Sequence, residues 1–240
     1  MPHRSAIELA DSSARTSSGT GASVDMGAAT TAVLRLDVTA ASGTTPTLAV
    51  AVQTSPDEAT WTSLGNFSTR TAAGALERRF PGASRYVRAV WTIGGGTPSF
   101  TFSLAGSALT VYATPADIAS LGCAGGALDD VDDETKDLAL CAATDNADTE
   151  LQSGSYKLPL TAWGDDLRQA VVDIAVFRLM RRRGFSPDGA DSLIVKGHDD
   201  AMRWLASVGR ESKTLAGVVD STPTVHDGGA MVGGYALRGW

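Results

Sequence analysis

The chain has 240 residues, of which 43% are hydrophobic and 20% are charged, and its formal net charge is −7. This length and composition can bury a sizeable core in one or two domains, which excludes a chain that is disordered throughout. The negative charge argues against a protein that wraps nucleic acid by counterion release. No apolar run approaches the ~18 residues of a membrane-spanning helix, so we expect no membrane partner.

The N-terminal residues and the cysteines bear on the compartment. Residues 1–8 lack the apolar segment of a signal peptide, so we expect no secretion by a cleaved signal. Cys123 and Cys141 are too few for a disulfide framework or a four-ligand zinc site, and they fit a reducing compartment. Both are predicted to be small core residues.

Charge and composition both change near residue 110. Residues 1–110 carry a net charge of +1 and are rich in Thr, Ser, Gly and Ala, whereas residues 111–240 carry −8 and contain longer segments with helical spacing. We place a boundary near Ser107 to Tyr112. The predicted parts are a β-sandwich domain at 1–110, a helical domain at 111–215 and an extended C-terminal arm at 216–240.

Short alternating segments in the first part predict antiparallel β-strands. The alternating segments are 32–38, 48–53, 85–91 and 100–104. The turn segments between apolar runs are 42–44, 55–58, 73–74, 80–82 and 94–98. This spacing favours a sandwich of jelly-roll or immunoglobulin-like type, with the triple glycine at 94–96 as a hairpin tip. We expect Val87, Ala89 and Trp91 on the core face of their strand.

Two aromatic residues of this domain admit a functional interpretation. Exposed aromatics on jelly-roll modules stack on sugar rings, which makes Trp61 and Tyr86 candidate glycan contacts. Trp61 also ends a Ser-Pro-Asp-x-x-x-Trp unit, in which the indole typically packs over the edge of a sandwich. The sequence favours this structural role for Trp61.

The second part begins with two predicted helices. Thr114 and Pro115 provide a cap and a first helical position for a short helix that ends at Gly122. The acidic residues 129–134 then precede a helix of about 18 residues, as expected for acids at the positive end of the helix dipole. A calcium loop at 129–134 is the alternative, although the central Gly and the twelfth-position Glu of an EF-hand are missing.

A third helix, from Leu167 to Arg183, is apolar around most of its circumference and is predicted to be the buried centre of a small helical bundle. We expect its cap at Asp165 or Asp166. It ends in Arg181, Arg182 and Arg183 followed by a glycine, which complements the negative end of the dipole; DNA contact is the alternative role. A fourth helix is expected within residues 188–211, with a possible break at Gly197.

Beyond Leu215 the composition turns to Gly, Ser, Thr and Asp, which cannot hold the chain in place by apolar burial. The chain nevertheless ends with Tyr235, Leu237, Arg238 and Trp240. Such anchors suit a segment that orders on a partner surface.

The motifs of common enzymes are missing from the sequence. It contains no Gly-x-Ser-x-Gly, no Walker loop, no dinucleotide fingerprint and no His-Glu-x-x-His. The three histidines lie in polar or glycine-rich surroundings and are predicted to be solvated. We therefore expect a protein that is not an enzyme, with no catalytic residues, no metal and no cofactor.

Five segments of the second part, taken in order, resemble one known family. The segments are Tyr112–Ile118, Tyr156–Leu160, Leu167–Leu179 with the arginines that follow, Ala201–Leu205, and the terminal Leu237-Arg238-Gly239-Trp240. Their order and spacing resemble the Mu gp36-like family of tailed-phage head-tail connector (adaptor) proteins. The resemblance covers about residues 111–240, so the N-terminal sandwich is an addition to the family pattern.

The resemblance implies a structural protein of the phage neck, made in the host cytoplasm. Such a protein forms a homo-oligomeric ring, expected to be dodecameric, between the portal protein and the next neck or tail protein, and DNA passes through its channel without specific binding. The implied portal or neighbour contacts are Tyr235, Leu237, Arg238 and Trp240, and Arg181, Arg182 and Arg183 are candidate inter-subunit or channel contacts. The alternative is a surface-binding module whose sandwich binds host glycan through Trp61 and Tyr86.

Overall fold

The computed structural model describes residues 3–122, 126–154, 156–184, 189, 191–210 and 214–220. Within these residues, an antiparallel sheet occupies the first part of the chain and helices follow it, which confirms the predicted order of β and α parts. The strands are β1 (Arg4–Arg15), β2 (Gly19–Thr20), β3 (Val24–Asp25), β4 (Thr31–Ser55), β5 (Thr62–Asn66), β6 (Gly74–Pro81) and β7 (Tyr86–Leu109). The helices are α1 (Pro115–Asp117), continued by a π-helical turn (Ile118–Gly122), α2 (Asp133–Ser153), α3 (Asp165–Arg183) and α4 (Ser192–Gly209).

The two longest strands, β4 and β7, pair with each other from Thr31 opposite Leu109 to Ser55 opposite Tyr86. Bulges interrupt this ladder near its middle, between Val38 and Thr47. The first half of β4 and the second half of β7 also pair with β6 and β1, whereas the opposite halves pair with β5, β2 and β3. A single bent ladder therefore joins the two halves of the sheet.

The prediction of chain reversals at 42–44 and 94–98 is wrong, because these segments lie inside β4 and β7. Gly43 and Gly95 have φ angles of 116° and 112°. A Cβ at Gly43 would lie 2.8 Å from the carbonyl oxygen of Gly96, and one at Gly95 would lie 2.7 Å from that of Thr45. The glycines thus let two paired backbones approach at a bend, and the triple glycine is no hairpin tip.

The two halves of the bent sheet share one hydrophobic core. Trp91, in the first half of β7, packs edge-to-face on Phe102 of the second half, with ring centroids 5.7 Å apart. The predicted core face of the strand is confirmed, since Val87, Ala89 and Trp91 are buried. This cluster extends along the chain to Ala108.

A second hydrophobic cluster begins at Leu109 and fills the helical part. α3 lies at its centre and packs against α2, α4 and the π-helical turn, as the sequence predicts. Its N-cap is Gly164 instead of the predicted Asp165 or Asp166. These two aspartates lie in the first turn, where their carboxylates interact favourably with the helix dipole. Its last turn ends at Gly184 with a positive φ, as predicted.

Two further features of the helical part differ from simple sequence expectations. α4 continues through Gly197 without a break, because helix packing outweighs the weak helix propensity of one glycine. Leu215 and Val218 pack against the helical core, and the amide of Val219 donates to the carbonyl of Ala162 at 3.0 Å. None of the described helices is long and apolar enough to cross a membrane.

Candidate functional site

The arginine run at the end of α3 divides into residues with different partners. Arg183 donates to Asp130 Oδ1 at 2.8 Å and to the carbonyl of Ala127, so it ties the end of α3 to the loop before α2. The guanidinium of Arg181 lies 5.7 Å from the ring centroid of Phe177 on the preceding turn. Arg182 is exposed to solvent. Arg181 and Arg183 therefore contact other side chains in addition to placing positive charge at the end of the helix.

Arg181 and Arg182 belong to a groove between α2 and α3, which we call the basic groove. Its volume is about 390 Å³, and its lining residues are Leu138, Ala139, Ala142, Arg178, Leu179, Arg181 and Arg182. The side chain of Leu138 in α2 is 50% exposed. An apolar floor with a cationic rim is typical of protein contact surfaces.

On the other side of α3 lies a groove shared with α4, which we call the acidic groove. Its volume is about 310 Å³, and it is lined by Asp166, Gln169, Ala170, Asp173, Asp200, Ala201 and Trp204. Burial raises the pKa of Asp173, the hydrogen bond from Gln169 Nε2 at 2.9 Å opposes this rise, and the charge of Asp200 adds to it. Sequence reasoning missed this groove, although residues 166, 169 and 173 recur at the spacing of one helix face.

A buried polar cluster joins the sheet to the helices. Arg79 of β6 donates to Asp137 of α2, and Thr31 of β4 donates to the same carboxylate at 2.7 Å. Burial disfavours the charge of Arg79, yet the hydrogen bond and charge of Asp137 outweigh it and raise the pKa of Arg79. The nearby Cys141 is buried, as predicted, and burial raises the pKa of its thiol to about 12. Cys123 lies outside the described residues.

A second buried cluster fixes the start of the helical part. The hydroxyl of Tyr112 donates to Asp148 Oδ1 at 2.5 Å, and the indole of Trp163 donates to the carbonyl of Tyr112 at 2.8 Å. The two rings also meet edge-to-face, with centroids 5.0 Å apart. Burial raises the pKa of Asp148 to about 6 even though the bond from Tyr112 opposes the rise. The side chains of Tyr112, Asp148 and Trp163 therefore have a structural role.

Trp61 immediately precedes β5 and Tyr86 is the first residue of β7, and each of these candidate glycan residues has an arginine beside its ring. The Arg88 guanidinium lies 4.0 Å from the ring centroid of Trp61, whose indole N–H donates to the carbonyl of Glu58. The Arg85 guanidinium lies 5.1 Å from the ring of Tyr86. One face of the Trp61 ring is thus already occupied, and the glycan role stays a prediction.

Several other predicted residues can now be placed. The acidic segment 129–134 works in helix capping and ion pairing: Asp132 caps α2 by accepting from the amide of Thr135 at 2.8 Å. His198, predicted to be solvated, instead stacks on Phe177 with ring centroids 4.1 Å apart. Among the residues that the structure describes, no three His, Cys, Asp or Glu side chains are grouped to hold a metal ion. The predicted anchors Tyr235, Leu237, Arg238 and Trp240 lie outside those residues.

Two solved structures are weakly similar to the chain. The SPBc2 prophage-derived protein YomS matches with a TM-score of 0.30 and 14% identity, covering 45% of this chain and 96% of that one. The Yersinia pseudotuberculosis-derived mitogen matches with a TM-score of 0.26 and 11% identity, covering 45% and 87%. Similarities this low carry no argument about function. No curated protein sequence matches the chain.

The helical part has a specific family match. Residues 110–233 match the family described as "Bacteriophage Mu, Gp36", which is 124 of the 240 residues. The match spans α1 to α4 and therefore both grooves on α3. It also confirms that the resemblance of the helical part is to a phage family. The chain therefore belongs to the Bacteriophage Mu Gp36 family.

Proposed function

We propose that this protein is a structural adaptor of a tailed-phage neck. Identical copies form a ring, expected to be dodecameric, that joins the portal protein to the next neck or tail protein and continues the DNA channel. The observation that carries the proposal is the family match over residues 110–233, which spans the described helical part. In this role the protein acts in the virion by contact alone, without catalysis and without a cofactor.

The charge distribution supports this role. Residues 111–240 carry a net charge of −8, and a negative ring repels the phosphates of DNA that must slide through it. Of the three arginines at the end of α3, Arg183 is paired with Asp130, and Arg181 and Arg182 border an apolar groove. These surroundings favour a contact between subunits over a contact with DNA.

The other parts of the chain take peripheral roles in this proposal. Tyr235, Leu237, Arg238 and Trp240 bind the portal or a neighbouring copy, as the family resemblance implies. The sheet domain projects from the ring, and its jelly-roll or immunoglobulin-like type stays a prediction. No observed contact favours the glycan-binding alternative over the adaptor role.

Assembly of the full chain with its portal tests the proposal. We expect sedimentation velocity to show a discrete oligomer that binds the portal, and negative-stain images to show rings with outward knobs. A matched variant that lacks Leu237–Trp240 should melt at the same temperature but lose portal binding, since the deletion removes the anchors and none of the described members of either hydrophobic cluster. A full chain that stays monomeric and ignores the portal would overturn the adaptor role.

A further inference from the structure

We propose that the basic groove of one copy docks against the acidic groove of the next copy, and that this contact builds the ring. The inference rests on the proposed adaptor function and names the surfaces that carry it out. It commits to one occupant of both grooves, a second copy of this chain. Three observations support it: the positions of the grooves on α3, the charges that line them, and the exposed apolar side chains beside those charges.

The two grooves lie on opposite faces of α3. Successive residues of an α-helix are rotated by about 100°, so the mean direction of Arg178 and Arg182 is about 180° from that of Gln169 and Asp173. The structure agrees, because α2 borders the basic groove and α4 borders the acidic groove. Along the axis the two pairs are separated by nine residues, or about 14 Å.

This placement fixes the kind of assembly that the grooves can build. A surface on one face of a helix that fits a different surface on the opposite face gives a heterologous, head-to-tail contact. Each copy then offers one free groove of each kind to its neighbours. Repetition of such a contact yields a closed ring when the rotation between copies closes, which is the geometry that an adaptor needs.

The side chains of the basic groove are available for a partner. Among the described residues, neither Arg178 nor Arg182 has a side-chain hydrogen bond or an ion pair. Leu138 is 50% exposed beside them, so the groove presents apolar surface next to its cationic side chains. Cationic side chains around an exposed leucine favour a partner that is both acidic and apolar.

The acidic groove meets that description. Asp166 and Asp200 are exposed, and Asp173 lies deeper between α3 and α4. The indole of Trp204 is half-buried in the same groove and offers an apolar face to a side chain such as Leu138. Of these three aspartates, only Asp200 has a basic partner in its own chain among the described residues, Arg203 at 2.7 Å. Opposite charges on the two grooves attract, whereas two copies of the same groove repel.

A charge-swap experiment on the full chain with its portal tests the proposal. The first variant carries Arg178→Glu and Arg182→Glu in the basic groove, and the second carries Asp166→Arg and Asp200→Arg in the acidic groove. Each variant alone brings like charges together at every contact, so we expect its apparent dissociation constant for assembly to rise by at least about tenfold. Circular dichroism should show that both variants remain folded.

An equal mixture of the two variants gives the decisive result. The glutamates of the first variant face the arginines of the second, and the unaltered grooves of the two variants face each other. We therefore expect the mixture to assemble into rings in which the variants alternate, at protein concentrations at which neither variant assembles alone. Tagging one variant and recovering the other with it, in equal amounts, measures this alternation.

The matched control is Arg4→Glu with Arg85→Glu, which changes the net charge by the same amount as the first variant but at exposed sites on the sheet. This control should assemble like the wild type.

The groove contact is wrong if the wild type forms rings and both groove variants form them equally well. The adaptor role would still hold in that case. Folded variants whose mixture stays monomeric would also overturn the groove contact. If the variant with Arg178→Glu and Arg182→Glu assembles normally but phage heads that carry it lose their DNA, the basic groove binds phosphate instead. Failure of the wild type itself to assemble with the portal overturns the adaptor role.

Discussion

Arg79 of β6 donates through Nε and Nη2 to one carboxylate oxygen of Asp137 on α2, at 2.9 Å and 2.5 Å. The other carboxylate oxygen accepts from the Thr31 hydroxyl, and Asp137 is completely buried. An unpaired carboxylate at this depth would be strongly unfavourable. The sheet therefore supplies the cation and a hydroxyl donor that allow α2 to bury a charge, and the two parts of the chain stabilise each other.

Arg79→Met should lower the free energy of unfolding by about 3–5 kcal/mol, because it leaves the buried carboxylate of Asp137 without its cation. Urea denaturation measures the loss. The double variant Arg79→Met with Asp137→Asn serves as the control, since it removes both charges and should be more stable than Arg79→Met alone. If Arg79→Met costs the same in the wild type and in the Asp137→Asn variant, the two residues are not a coupled pair.

A fragment that begins at Ser107 should still form the helical part, because the hydrophobic cluster from Leu109 to Val208 lies within it. It should be less stable than the full chain, since it loses Arg79 and Thr31 from the surface of α2. Far-ultraviolet circular dichroism and urea titration measure both properties. In the fragment, Asp137→Asn should have little effect, because water hydrates the uncovered carboxylate. A fragment without helix would show that the sheet is needed for the helical fold.

Asp148 should make the stability pH-dependent in the direction opposite to that of a paired surface carboxylate. Its folded pKa of about 6, raised mainly by burial, lies above the unfolded value of about 3.9. Its contribution to stability is therefore fully present below pH ~4 and is lost as the pH rises through ~6. Asp148→Asn should remove this loss and keep the hydrogen bond from Tyr112.

The measurement for Asp148 is urea unfolding of the wild type and Asp148→Asn between pH 4 and 7. We expect the variant to gain about 1–3 kcal/mol relative to the wild type across this range. Asp166→Asn is the matched control, because Asp166 is an exposed aspartate of α3, and this variant should not reproduce the gain. A wild type that gains stability relative to Asp148→Asn as the pH rises would contradict the prediction.

Gly106 is the glycine of β7 where a side chain should cost most. An added Cβ would lie 1.9 Å from the carbonyl oxygen of Val33 on the paired strand β4. Gly106→Ala should therefore destabilise the protein by at least about 2 kcal/mol through backbone displacement. At Gly96, in the same strand, the nearest atom would be Thr44 Cβ at 3.4 Å, so Gly96→Ala should change stability by less than about 1 kcal/mol. Thermal melting of both variants compares them, and equal shifts would refute the close approach.

Much of the local structure could be predicted because its causes are local. The start of the short helix at Pro115, the end of α3 at Gly184 and the core face with Trp91 all follow from nearest-neighbour chemistry: a proline at the first position, a glycine after the last turn and a two-residue alternation. The family resemblance of the helical part was also visible in the order of its motifs.

The features that only the tertiary structure decided depend on residues far apart in the chain. Glycines at 43 and 94–96 fit a chain reversal and a bulge equally well, and the pairing of β4 with β7 selected the bulge. Arg79 meets Asp137 across 58 residues, which no local pattern encodes. The basic and acidic grooves exist only because α2 and α4 pack on opposite faces of α3. A groove is defined by the distance between the surfaces of two helices, whereas a local sequence pattern describes the surface of one helix.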